Sequence, residues 1–256
     1  MAAEKKNYRM TISYDGTRYA GWQRQKKNEQ TIQGKLEHVL SVMEKEEQRA
    51  EAAVQVIGAG RTDAGVHARA MTANVFLRTE RTAEEVGQYL NQYLPEDISV
   101  DQVKIASDRF HSRYNAIGKT YRYTCWYGTG KPVFDRRYVW VLEERPDVEQ
   151  MRRAAEFLTG RHDFKAFCGN PRYKKSTVRE VDRIEIREEW PYLRLYFHGT
   201  GFLQNMVRIL TGTLLEVGAG RMQAEDMTRI LAAGVRAQAG PTAPARGLCL
   251  LEVDYD

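Results

Sequence analysis

AVQVIGAGRTDAGVHARAMTANVFL, residues 53–77, holds two apolar, β-rich runs, 53–57 and 71–77, separated by a glycine-flanked loop. Short runs of this composition bounded by glycine read as strands. Gly58, Gly60 and Gly65 allow tight backbone geometry and leave room for a flat substrate to approach the chain. The loop carries one acid, Asp63, and two residues earlier a cation, Arg61, which can hold a carboxylate ionised or grip a phosphate or a base. On its own, such an aspartate is first of all a turn residue, because its side chain bonds its own backbone.

Working outward, residues 8–14 alternate as a strand that Asp15-Gly16 closes with turn chemistry. Ile32, Leu36, Val39, Leu40 and Met43 recur at helical spacing over 31–46. Thr82 and Glu85 form a capping box for a second helix, with Val86, Leu90 and Leu94 on one face and Pro95 as its stop. With a strand over 98–105, the first half reads β-α-β-loop-β-α-β. The second half repeats the logic: strands at 117–127 and 137–142, a helix from Asp147 to Leu158, strands at 178–187 and 192–198, helices over 202–217 and 223–233, and a last strand at 248–253. Gly218 is the expected stop of the longer helix. The expectation is an α+β fold of two subdomains, 1–108 and 109–256, each laid out like an RNA-recognition module. Their sheets should be largely antiparallel, continuous and flanked by helices, with a basic cleft between the halves.

Composition narrows the class. A chain of 256 residues, 42% hydrophobic and 29% charged with 7 prolines, is globular rather than disordered. It has no apolar run long enough for a membrane span and no signal-peptide stretch after Met1, so a cytoplasmic protein is expected. Cys125, Cys168 and Cys249 lack disulfide or zinc spacing and read as reduced packing residues. The net charge of +5 favours a polyanion only weakly, but basic residues sit beside aromatics in two places. Arg18, Tyr19, Trp22, Arg24, Lys26 and Lys27 form one cluster, and Arg172, Tyr173, Lys174, Lys175 and Arg179 the other. Such mixtures can grip phosphates and stack on bases.

Several chemistries drop out. Gly118-Lys119-Thr120 ends like a phosphate loop, but Arg113 stands where its leading glycine belongs. Gly58-Ala59-Gly60 has the wrong spacing for a dinucleotide loop, so no nucleotide cofactor is expected. The histidines at 38, 67, 111, 162 and 198 include no pair at metal-ligand spacing, and no metal site is expected. His67 and His111 remain candidates for a binding site.

The unbroken run GAGRTDAGVHARA, 58–70, closely resembles the catalytic motif of the tRNA pseudouridine synthase A family. YDGTRYAGWQRQ (14–25), TIQGKLE (31–37), RFHSRYNAIGKTYRYTCW (109–126), TGRHDFKAFC (159–168), GFLQNMVRILTGTLLEVG (201–218) and APARGLCLLEVDY (243–255) resemble further family segments in the same order. The resemblance implies that Asp63 is the catalytic residue, that Tyr121 stacks on the target base and helps proton handling, and that Arg208 pairs with the catalytic aspartate. By the same resemblance Arg61 takes the base's place in the helix, and Leu250 lines the pocket. With His67 and Arg113, the expected substrate-binding set is Arg61, Tyr121, His67, Arg113 and Leu250. The implied reaction isomerises uridines 38, 39 and 40 in the anticodon arm of tRNA, with a flipped-out base, no cofactor and a homodimeric enzyme. Asp63 would act as nucleophile at C1′ or C6, or as the base that takes the 2′ proton. A passive RNA-binding module or a metal-dependent RNA hydrolase are the competing classes.

Overall fold

In the computed structural model, which describes residues 4–47 and 53–256, the alternation of buried Tyr8, Met10, Ile12 and Tyr14 builds β1 (Lys5–Tyr14). The chain divides into two compact units, Met1–Ile117 with Leu250–Asp256, and Gly118–Cys249.

In the first unit, β1 leads to α1 (Ile32–Glu46), capped by Thr31, whose side chain accepts from the Gly34 N–H. The short β2 (Ile57–Gly58) and long β3 (His67–Arg78) follow, then α2 (Ala83–Tyr93) and β4 (Ile98–Ala106). The expected capping box is present in both directions, Thr82 to the Glu85 N–H and Glu85 to the Thr82 N–H. β1 lies between β3 and β4, antiparallel to both, and β2 pairs β3, giving the order β4-β1-β3-β2. That order and the β-α-β-β-α-β sequence match the RNA-recognition layout.

The strand expected over 53–57 shrinks to Ile57–Gly58. The reason is that α1 side chains take the backbone groups a ladder would use. Glu37 Oε1 accepts from the Val56 N–H at 3.1 Å, and Gln33 Nε2 donates to the Val56 carbonyl at 3.0 Å.

The second unit runs β5 (Gly118–Trp126), β6 (Trp140–Val141), α3 (Val148–Leu158), β7 (Gly160–Asp163), β8 (Val178–Glu189), β9 (Tyr192–Gly199), α4 (Met206–Gly218) and α5 (Asp226–Ala233). Its antiparallel order is β5-β9-β8-β7, with β6 parallel to β5. β10 (Leu248–Asp254) starts in this unit and ends in the first. The fold is therefore α+β, largely antiparallel and flanked by five helices among the described residues.

Two sequence expectations shift here. The strand expected at 137–142 is only Trp140–Val141, because a turn that closes with the Tyr138 N–H on the Asp135 carbonyl occupies its start. α4 begins at Met206 rather than 202, since Asn205 takes a left-handed φ of 59° that no helix continues through. Gly218 is its last residue, where the sequence put the stop, and the chain reverses at Gly220, φ 72°, whose N–H bonds the Val217 carbonyl. Among the described residues no helix is long and apolar enough to cross a membrane.

Candidate active site

Asp63 is half-buried, between buried Thr62 and exposed Ala64. The loop that presents it is pinned to the chain leaving β1. The Thr62 carbonyl accepts from the Trp22 N–H at 3.0 Å, and the Gly65 N–H donates to the Tyr19 carbonyl at 3.3 Å. Thr62 Oγ1 and the Tyr14 hydroxyl share a buried hydrogen bond of 2.8 Å. The Val66 N–H closes a turn on the Asp63 carbonyl at 3.1 Å. Hydrogen bonds thus fix the residues on either side of Asp63, which is itself half-buried.

His67 is 5% exposed and works from behind the loop. Its Nδ1 accepts the Gly16 N–H at 3.0 Å. Asp15 Oδ1 lies 3.1 Å from the same nitrogen.

The glycines do not all serve a substrate. A Cβ on Gly58 would stand 2.5 Å from the Trp22 ring, so the space there belongs to Trp22, itself 2% exposed. The first basic and aromatic cluster is corrected in the same way. Tyr19 and Trp22 are core residues, Arg18 pairs with Asp97 and Arg24 with Glu37, leaving only Lys26 and Lys27 as exposed cations without such partners. In the second cluster Arg179 donates to the Tyr173 hydroxyl at 3.1 Å, while Arg172, Lys174 and Lys175 are exposed.

Arg61 is exposed and makes no ion pair with a described carboxylate, Asp63 included. Instead it lines a cavity of about 240 Å³ with Trp22, Gly60, His111, Arg113 and Tyr114. The structure therefore brings Arg61 and Arg113 to one cavity. His67 and Leu250 are not part of its wall, and Leu250 is 1% exposed in β10.

In the second unit, Tyr121 sits on β5, 8% exposed, with the edge of Phe202 against it at 5.3 Å and 84°. Arg208 lies in the first turn of α4, half-buried. Its Nε donates to the Ala243 carbonyl at 2.7 Å and its Nη1 to Asn205 Oδ1 at 3.1 Å, which offsets part of the cost of burying the charge. Cys125, Cys168 and Cys249 form no disulfide among the described residues, and burial pushes the Cys125 thiol well above its ordinary range, so it is a packing residue and no nucleophile. Among the described residues no group of three or more His, Cys, Asp or Glu is placed to hold a metal.

A family model described as tRNA pseudouridine synthase matches residues 10–115 and 154–256, including the Asp63 loop, Arg113 and Arg208. The chain belongs to the tRNA pseudouridine synthase family. Among its relatives, tRNA pseudouridine synthase A 2 of Bacillus anthracis is 45% identical over 250 residues, 97% of this chain and 99% of that one. tRNA pseudouridine synthase A of Bacillus sp. (strain KSM-64) is 44% identical over 249 residues, 97% of this chain and 99% of the other. tRNA pseudouridine synthase A 1 of Clostridium tetani is 44% identical over 250 residues, covering 98% and 100%. As a tRNA pseudouridine synthase the chain is an isomerase that acts on uridine in tRNA. Tyr14, Thr62 and Trp22, which fix the loop, carried no local signal of that role, because Tyr14 and Thr62 are 48 residues apart.

Proposed function

We propose that this enzyme converts uridine to pseudouridine at positions 38, 39 and 40 in the anticodon arm of tRNA, with Asp63 as its catalytic carboxylate. The observation that carries the reading is a half-exposed acid on a loop whose flanking residues are pinned, inside the segment matched by the family model. The reaction breaks the N1–C1′ bond, turns the uracil, forms a C5–C1′ bond and releases the C5 proton while N1 gains one. It involves no oxidation or transfer to a second molecule, so it requires no redox or group-carrying cofactor.

The target base leaves its stack, at a cost of a few kcal/mol that an inserted cation and an aromatic platform offset. Arg61 takes the first task and Tyr121 the second. Asp63 then acts as nucleophile at C1′ or C6, or removes the 2′ proton, with Arg208 as its cationic partner. His67 serves the site by holding the backbone at Gly16, and Leu250 supplies apolar surface near the base. The protein acts in the cytoplasm as a homodimer; Phe134 and Trp190, 92% and 71% exposed, are apolar surface that a second copy would cover.

The test is to incubate the protein with tRNA tritiated at uridine C5, in the presence of chelator. Release of label, mapped to positions 38–40 by single-uridine transcripts, is the expected result. Shortened RNA would mark a hydrolase, and binding without any product a passive module; either outcome overturns the reading.

A further inference from the structure

The cavity beside Arg61 lies outside the chemistry proposed for Asp63. At about 240 Å³ it is smaller than the ~300–1,000 Å³ pockets of drug-sized ligands, and suits one flat ring with its phosphate at the mouth. No aspartate or glutamate is among its lining residues, yet two guanidinium groups are. Arg61 and Arg113 make no ion pair with any described carboxylate, whereas Arg18, Arg24, Arg81 and Arg145 each sit on one. Two cations converging on one small cavity without an acid are complementary to an anion, and the planar fork of arginine suits phosphate oxygens.

Beside them stands an aromatic step. Tyr114 is 79% exposed and packs on the His111 ring, centroids 4.2 Å apart and planes 31° from parallel. This step is held in place rather than left over. His111 Nδ1 accepts the N–H groups of Arg113 and Tyr114 at 3.2 and 3.3 Å, and the His111 N–H donates to Asn115 Oδ1 at 2.7 Å. The Ser112 N–H donates to Asn74 Oδ1 at 2.9 Å, Asn74 donates to Asn7, and Asn7 donates to the carbonyls of Ser107 and Phe110. Asn7 and Asn74 are fully buried, so a chain of satisfied amides ties the 107–114 segment to β1 and β3. Ordering an exposed tyrosine this way spends a buried polar network on a surface ring, which suits a stacking platform for an unpaired base.

We propose that this cavity takes a second, non-target nucleotide of the RNA. Its base stacks on Tyr114 and His111, and its phosphate lies against Arg113 at the mouth. The inference rests on the reading of the chain as a tRNA-modifying enzyme, but not on the role of Asp63.

The experiment measures the Kd of the wild-type chain for a tRNA transcript across a salt series and compares Arg113→Gln, Tyr114→Ala and Tyr114→Trp. Both side chains are exposed, and circular dichroism checks that each variant folds. Arg113→Gln should weaken binding and lower the slope of log K against log salt by about one. Tyr114→Ala should weaken binding roughly 5- to 150-fold with the slope unchanged, and Tyr114→Trp should restore it. If the Arg113 variant responds and Tyr114→Ala does not, the stacked base is wrong. If neither variant differs from wild type, the whole inference is wrong while the proposed function stands. A wild-type chain that does not bind tRNA would remove the proposed function as well.

Discussion

Replacing Tyr14 by Phe removes one hydroxyl and nothing else from the interior, and it acts on the residue next to Asp63. The hydroxyl is 2.8 Å from Thr62 Oγ1, with Tyr14 5% and Thr62 6% exposed. Loss of the bond costs about 0.5–1.5 kcal/mol, and a buried hydroxyl left without that partner raises the cost toward about 1–3 kcal/mol. We expect about 1–2 kcal/mol, or about 2–8 °C in Tm for a chain of this size. Thr62→Val removes the other partner and should cost a similar amount, while the double variant should lose little more than either single one. The resulting coupling should be on the order of 1 kcal/mol, obtained from thermal and urea unfolding of the four chains. Because the Thr62 backbone positions the next residue, tritium release by Tyr14→Phe should fall, by up to about 100-fold if the carboxylate moves by as much as 1 Å. Strict additivity of the two substitutions, with turnover unchanged, would refute the idea that this pair holds the loop.

Gly58→Ala should lower Tm and change tryptophan fluorescence, because its Cβ would fall 2.5 Å from the buried Trp22 ring; unchanged emission would show that the ring has room to spare. Thr82→Ala should cost about 1 kcal/mol by opening the capping box of α2, read from the urea midpoint. The hydrogen bonds from Arg145 hold Glu188 below its ordinary pKa. A depressed carboxylate adds stability above its unfolded pKa of about 4.3 and loses it as pH falls through the folded value. The Tm gap between wild type and Arg145→Gln should therefore be widest above pH about 4.5 and close as the pH falls further, and a gap independent of pH would contradict the pairing. Arg145 is largely exposed, so the gap should also shrink in high salt.

Periodicity and capping chemistry carried the helices well. Thr82 and Asp147 cap the helices they are expected to start, while the cap at Thr31 is not read from the sequence. What could not be read from local pattern is competition for backbone groups. Val54 and Val56 have strand composition, yet Glu37 and Gln33 of α1 capture the Val56 backbone and only two residues pair with β3. The left-handed Asn205 delays α4 in a segment whose apolar spacing is helical from 202 onward. For the site, glycines and charges marked the loop, but burial decided their use: Gly58 makes space for Trp22, and Tyr19 and Trp22 are buried rather than exposed stacking residues. The cavity formed by Arg61 with 111–114 joins segments some 50 residues apart in sequence, which no short-range pattern encodes.

The most direct test of the central claim compares the wild-type chain with Asp63→Asn, using tRNA tritiated at uridine C5, with binding of the same tRNA measured in parallel. The expected result is tritium release from wild type, none above background from Asp63→Asn, and a Kd for tRNA within a few-fold of wild type. Tritium release by Asp63→Asn at a rate near wild type would contradict the assignment of Asp63 as the catalytic carboxylate.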